Sequence, residues 1–427
     1  LILKKQEENK MRQKWSPFYA TDFQTLMYPS FIFCRIFGLF PYKINNSIFE
    51  VSKPQYILSI IITCALCVFQ LMYIKSTIST KIDFKSVITI IVTSCYCILI
   101  VFFAIVTLIL SNPRMRLLQT IMEVSSKLSP KSYQKLSKLI HIKDIFGFFY
   151  VIGLNFIVFY KRKNILTLIF LIYTVQWIFQ MEMLYVNCVC VLKACFKKIN
   201  NDLRLMQEIV NNKSCISTIS YCEQRNPFLI KLKALEKQYM MISNTIQILN
   251  TIFSVQVFVT IVLTLFEVSL ELYIYVVKWH NGLVINLSEQ AIEIFLLIMI
   301  FYTIRMALIF WACETGKNQA QEIRTTIHDV LNDARDEQIK NELQLFSLQL
   351  LHCKHTFSAK GFNVDATFLT TVSNQLLAII NEMFYSFLHC SSDGGYHYYI
   401  HVDYATILDR IIFLRESAIN IIILQII

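Results

Sequence analysis

Six apolar runs of span length, or close to it, constrain this chain more than any other feature. They cover residues 56–74, 87–110, 145–160, 165–192, 250–277 and 291–313. A helix crosses the hydrocarbon core with about 20 mainly apolar residues. The third run is short and aromatic and stops against Lys161-Arg162-Lys163. A seventh span is expected from the C-terminal region, where 368–388 is partly apolar and the last ten residues, AINIIILQII, make half a span. In lipid every backbone N–H and C=O must be paired within the protein, which leaves helices or a closed barrel, and runs of this length are helical. The expected fold is all-α, a polytopic membrane protein with seven transmembrane helices.

Composition narrows the function classes. Only 16% of residues are charged, against about 25% in soluble domains. The net charge of +11 lies between apolar runs, so no nucleic-acid partner is expected. With only 8 glycines, neither GxGxxG nor GxxxxGK[ST] occurs, which removes the usual phosphate cradles. GxSxG and HExxH are also missing. His352-Cys353-Lys354-His355 offers ligands within one turn but lacks the fourth that structural zinc needs. Cys64 and Cys67, a CxxC within the first run, are expected to be buried as small hydrophobes rather than redox-active. No enzyme activity, metal or cofactor is expected.

Charge placement sets the topology. With the N-terminus inside, the inner pieces 1–55, 111–144, 192–246 and 314–366 carry 30 Lys and Arg, against 7 in the outer loops 75–86, 161–164 and 278–290. This favours a cytoplasmic N-terminus, although the inner pieces are also longer. None of the 13 cysteines lies in those outer loops. Such a topology is opposite to that of a G-protein-coupled receptor, and an Asp/Glu-Arg-Tyr after the third run is also missing. Residues 1–55 are expected to form a cytoplasmic N-terminus, with 31–40 as an amphipathic lead-in helix at the interface and a re-entrant piece as the alternative.

Polar groups inside the runs carry the functional signal, because a charge at mid-membrane costs at least about 2.5 kcal/mol. Glu182, Glu267, Glu271 and Arg305 are such charges, and Asn155, Gln176 and Gln256 add neutral polar groups. The candidates for a ligand cavity are Asn155, Tyr173, Gln176, Trp177, Gln256 and Glu267. The alternative is helix-to-helix hydrogen bonding, with Tyr173 and Trp177 used in packing. By depth Arg305 falls below the membrane middle and Glu267 above it, so a direct pair is not expected.

Residues 317–355 place Ala320, Ile323, Ile327, Val330, Ala334, Leu343, Phe346 and Leu350 in a three-four rhythm. That predicts one long amphipathic helix outside the membrane. Its apolar stripe packs either on the chain's own inner loops or on a second subunit.

The chain resembles the insect gustatory receptors, within the wider seven-span insect chemoreceptor family. The resemblance begins at Arg35-Ile36-Phe37-Gly38-Leu39-Phe40-Pro41-Tyr42 and returns at Trp311-Ala312-Cys313-Glu314. It continues through Glu342-Leu343, Phe346-Ser347, Gln349-Leu350, Phe357-Ser358-Ala359, Gly361-Phe362 and Val364-Asp365. The resemblance implies a gustatory receptor of the sensory-neuron plasma membrane, a ligand-gated cation channel that detects a small-molecule tastant. It implies a homo- or hetero-tetramer with other gustatory receptors in membrane lipid. The ligand cavity would lie among spans two to six, 314–366 would be a cytoplasmic anchor helix, and Ile421, Leu424 and Gln425 would line the pore. A secondary transporter or a non-conducting receptor subunit are the alternatives. The chain shows no internal repeat of the transporter kind.

The family signature in the last span, Thr-Tyr, five hydrophobic residues, then Gln-Phe, is only partly kept in 418–426, where Gln425 and most hydrophobic positions match. A dozen or so residues separate it from the Gly-Phe-x-x-Asp piece in the family. Here Asp365 is followed by Ala366 to Val372 and then 44 extra residues, 373–416, which include Ser391-Ser392-Asp393-Gly394-Gly395. Val372-Ser373 is also what an in-frame splice donor, GTAAGT, encodes. An unspliced intron is the expected origin of 373–416, with a genuine extracellular insertion as the alternative.

Overall fold

The computed structural model describes residues 18–45, 48–79, 84–159, 165–212, 218–280, 289–334, 336–352, 357–359 and 362–363. Helix α1 (Phe23–Ile36) leads into the hairpin β1 (Tyr42–Asn45) and β2 (Ile48–Val51). Then follow α2 (Lys53–Ile78), α3 (Phe84–Ile109), α4 (Ser111–Ser125), α5 (Pro130–Phe159), α6 (Ile165–Asn212), α7 (Thr218–His280), α8 (Glu289–Asp333) and α9 (Glu337–His352). A two-residue hairpin, β3 (Ser358–Ala359) with β4 (Phe362–Asn363), closes the described chain. The fold of the described residues is helical, and each of the six apolar runs falls largely on a helix. Five helices are individually long and apolar enough to cross a membrane, and α3 with α4 forms a sixth candidate bent by 59°. The region of the expected seventh span lies outside the described residues.

Helix α6 is the centre. From Gln176 to Leu192 every side chain is buried, as expected of a helix that is apolar all round. Helices α1, α4, α5, α7 and α8 pack around it. Helix α2 instead leaves most of its surface open, including Ile57, Ile61, Leu71 and Met72, which suits a helix facing lipid. Cys64 is exposed on that open side and Cys67 is half-buried, so the pair is not core material as expected. Helix-to-helix attraction gains nothing from hydrophobicity once both surfaces are in lipid, so close packing and hydrogen bonds carry the assembly. Gly147 is one device for it: a Cβ there would lie 2.5 Å from the Phe179 ring of α6.

The lead-in helix differs from the 31–40 expectation. It starts eight residues earlier, because Asp22 and Thr25 form a capping box: Thr25 N donates to Asp22 Oδ1 at 2.9 Å and Asp22 N donates to Thr25 Oγ1 at 3.2 Å. This satisfies two donors at the helix start. It stops at Ile36 because Gly38 adopts φ +69, a left-handed conformation open to glycine. Its Phe23, Leu26, Met27, Phe31 and Cys34 are buried, so the helix is packed into the protein. Phe31 stacks on Phe40 at 4.4 Å and meets Phe49 of β2 edge-on at 5.9 Å.

The long helix outside the membrane is also built differently. Span six runs without interruption into it as α8, which ends at Asp333, and a separate helix, α9, starts at Glu337. Asp336 ends the gap by accepting from Gln338 N at 2.8 Å and Ile339 N at 3.3 Å, which starts α9. The stripe from Ala320 to Leu350 is buried within the chain's own helices, with Phe346 edge-on to Tyr239 of α7 at 5.7 Å.

Candidate functional site

Three charged side chains meet in the helical core. Arg305 of α8 donates from Nε and Nη2 to the two carboxylate oxygens of Glu182 on α6, each at 2.6 Å. Its Nη1 lies 3.6 Å from Oε2 of Glu267 on α7. The expectation that depth separates Arg305 from Glu267 is overturned. The long guanidinium arm carries its charge well away from its Cα, and α6, α7 and α8 pack against one another. Arg305 and Glu182 are 3% and 4% exposed, whereas Glu267 is 14% exposed. The Tyr96 and Tyr302 hydroxyls hydrogen-bond with the Glu267 carboxylate. Two carboxylates and one guanidinium leave a formal charge of −1, which low-dielectric surroundings make costly unless it is compensated.

About two to three turns along α3, a second polar group forms. Trp177 packs its ring edge-on against Phe103 at 5.3 Å. Gln256 of α7 donates from Nε2 to Thr107 Oγ1 at 2.9 Å. Tyr96, Phe103 and Thr107 follow helical spacing on α3, as Gln256, Thr260 and Glu267 do on α7, so each set lies on one face. Gln256 Oε1, Thr260 Oγ1 and Glu267 Oε2 are buried and lack a hydrogen-bond partner. Buried polar atoms are nearly always paired, so such a group calls for an explanation.

The six candidate ligand residues thus separate. Trp177, Gln256 and Glu267 lie along the seam between α3, α6, α7 and α8, through Phe103, Thr107 and Arg305 respectively. Gln176 instead crosses to α5, donating from Nε2 to Phe148 O at 2.8 Å. Tyr173 donates its hydroxyl to Phe37 O at 2.8 Å, tying α6 to the turn after α1. Asn155 bonds back to Val151 O of its own helix at 2.7 Å. Of these three hydrogen bonds only that of Gln176 joins one helix to another. Glu182, Arg305, Tyr96, Tyr302 and Thr107 belong to the constellation but were not candidates. Only the charges were visible in sequence, and their pairing depends on which helices are neighbours. The pore candidates Ile421, Leu424 and Gln425, and the 373–416 segment, lie outside the described residues. Among the described residues no group of His, Cys, Asp and Glu is arranged to hold a metal ion.

Comparison with known proteins agrees with this architecture. The fold is similar to the insect olfactory receptor OR5 from Machilis hrabei, with a TM-score of 0.62, 12% identity and coverage of 83% of this chain and 96% of that one. The same receptor in complex with eugenol gives a TM-score of 0.57 at 12% identity, covering 84% and 98%. A 99-residue stretch is 31% identical to putative gustatory receptor 28b of Drosophila melanogaster, which spans 23% of this chain and 21% of that relative's length. The sequence profile described as 7tm Chemosensory receptor matches residues 27–378, most of the chain. This multi-pass, non-enzymatic membrane protein belongs to the 7tm chemosensory receptor family.

Proposed function

We propose that the chain is a taste-type receptor subunit that binds a small molecule in the seam between α3, α6, α7 and α8 and opens a cation channel. The observation that carries this reading is the Arg305–Glu182–Glu267 constellation with its flanking Tyr96 and Tyr302. A buried cluster of ionisable groups among membrane helices marks function by default. Trp177, Gln256 and Glu267 are the contact residues, with Glu267 the most reachable of the three charges. Family membership supports reception as the role, and the eugenol complex of OR5 supports a small organic ligand.

Binding is coupled to conduction if the ligand favours one arrangement of these helices over another, since only differential affinity shifts an equilibrium. Ile421, Leu424 and Gln425 would then line the pore of a homo- or hetero-tetramer. A ring of Ile and Leu gates by dewetting and a ring of Gln supplies neutral dipoles to a passing ion. The 373–416 segment would be absent from the working receptor. The family match ends at residue 378, six positions after Val372, which supports that reading. Sequencing the transcript tests the segment. Mature message that keeps these codons throughout would remove the intron reading. Calcium imaging of cells expressing the chain with Val372 joined to Ser417 tests the function. A dose-dependent signal to some members of a tastant panel is expected, and silence at confirmed surface expression, alone and with partner receptors, opposes it.

A further inference from the structure

Arg114 is buried without a carboxylate. It lies on α4 just beyond the bend from α3, is 1% exposed, and ranks among the largest fully buried side chains. Its Nη2 donates weakly to Thr107 O at 3.4 Å, while Nε and Nη1 have no hydrogen-bond partner. The guanidinium lies 5.7 Å from the centre of the Phe253 ring. That cation–π contact offsets part of the charge, but it cannot accept in-plane N–H groups. The neighbouring ionisable groups outside the membrane spans are Tyr42 and Cys34. Burial pushes both up to about 12, so they stay neutral, and the Tyr42 hydroxyl already donates to Ser111 O. Asp144 is occupied by Asn187, whose Nδ2 donates to it at 2.8 Å, and by Lys143. An uncompensated buried cation costs several kcal/mol, so a counter-charge is required here.

The surroundings point to what supplies it. Thr107 is gripped twice, by Arg114 at its carbonyl and by Gln256 at its hydroxyl. Gln256 lies three residues, one helical turn, after Phe253. We propose that Arg114 forms, with Thr107 and Gln256, an internal site for a small monovalent anion, a carboxylate or a halide. The site shares Thr107 and Gln256 with the proposed ligand seam but lies toward the inner end of α7, about three turns of helix from Glu267, and its burial excludes a lipid headgroup or a large anion. Because it sits at the 59° bend between α3 and α4, occupancy stabilises that bend and with it the inner end of a helix that lines the proposed ligand seam.

Thermal unfolding of the purified full chain in detergent micelles, followed by tryptophan fluorescence, tests the site without agonist or current. Failure here is therefore separable from failure of the proposed function. Sodium formate, acetate and chloride are titrated against sodium gluconate at constant ionic strength. A saturable rise in Tm with one or more of the small anions, and none with gluconate, is expected, and the order of formate, acetate and chloride distinguishes carboxylate from halide. Arg114→Gln should lose the response and Arg114→Lys should weaken its midpoint tenfold or more. Gln256→Glu puts a fixed carboxylate on the same Thr107 that Arg114 contacts, so it should fold and be indifferent to anions even if Arg114→Gln does not fold. Equal behaviour of small anions and gluconate, or an undiminished response in Gln256→Glu, overturns the proposal.

Discussion

Arg305 holds Glu182 through two parallel hydrogen bonds of 2.6 Å, joining α6 to α8 across 123 positions of sequence. Side-on pairing of this kind uses the planar fork of arginine, which lysine cannot reproduce. Arg305→Met leaves two buried carboxylates facing each other, and breaking such a pair costs about 3–5 kcal/mol. Surface delivery should fall severely. Glu182→Gln keeps a hydrogen-bond acceptor and should be milder, and Arg305→Lys should fall between them. Surface biotinylation checks the order, and equal delivery of all three would show that the pair does not hold the helices together.

Glu267 differs from Glu182 in being partly exposed and in touching Arg305 at 3.6 Å rather than through a close bidentate bond. Glu267→Gln should therefore reach the surface at near-normal levels while shifting the ligand dose–response at least tenfold or abolishing it. Whole-cell dose–response curves normalised to surface protein decide between ligand contact and pure structure. An unshifted curve assigns Glu267 to packing.

Gly147 lies where α5 crosses α6, with the Phe179 ring filling the space a side chain would take. Gly147→Ala should cost about 1–3 kcal/mol through overpacking. Phe179→Leu in the same chain should return part of that stability by vacating the ring edge. Tm of the single and double variants in detergent measures the coupling, and simple additivity would contradict the close approach.

Topology is checked by glycosylation. Of the sequons beginning at Asn45, Asn212 and Asn286, only Asn286 faces outside when the N-terminus is cytoplasmic. Asn45 sits in β1, its Nδ2 donating to Glu50 at 2.8 Å, in the hairpin ahead of the first span. Glycosidase-sensitive sugar on Asn45 or Asn212 would reverse the orientation.

The parts of this architecture that were legible in sequence are those set by local pattern. Apolar runs located helices, five of them long and apolar enough to cross a membrane and a sixth candidate bent, and the spacing from Ala320 to Leu350 located a buried stripe. Neither reveals helix neighbours, so the Arg305–Glu182–Glu267 contact was missed, and a depth argument taken from Cα positions pointed the wrong way for so long a side chain. Arg114 escaped notice because it falls past the end of an apolar run, where a cation is ordinarily solvated; here the 59° bend folds it back inside. Two local signals were available and unused: Asp22-x-x-Thr25 marks the true start of α1, and Gly38 marks why that helix does not reach Phe40. Asp336, a helix-capping residue, starts a new helix inside what otherwise reads as one continuous rhythm.

Ligand-gated cation conduction is tested most directly by single-channel recording from excised patches that hold the chain with Val372 joined to Ser417, expressed with partner receptors where needed. Ligand-evoked unitary cation steps are predicted, abolished at unchanged surface expression when Gln425→Arg places a positive ring in the ion path. Ligand-evoked uptake without unitary steps, or steps of unchanged amplitude and selectivity in Gln425→Arg, would contradict the account.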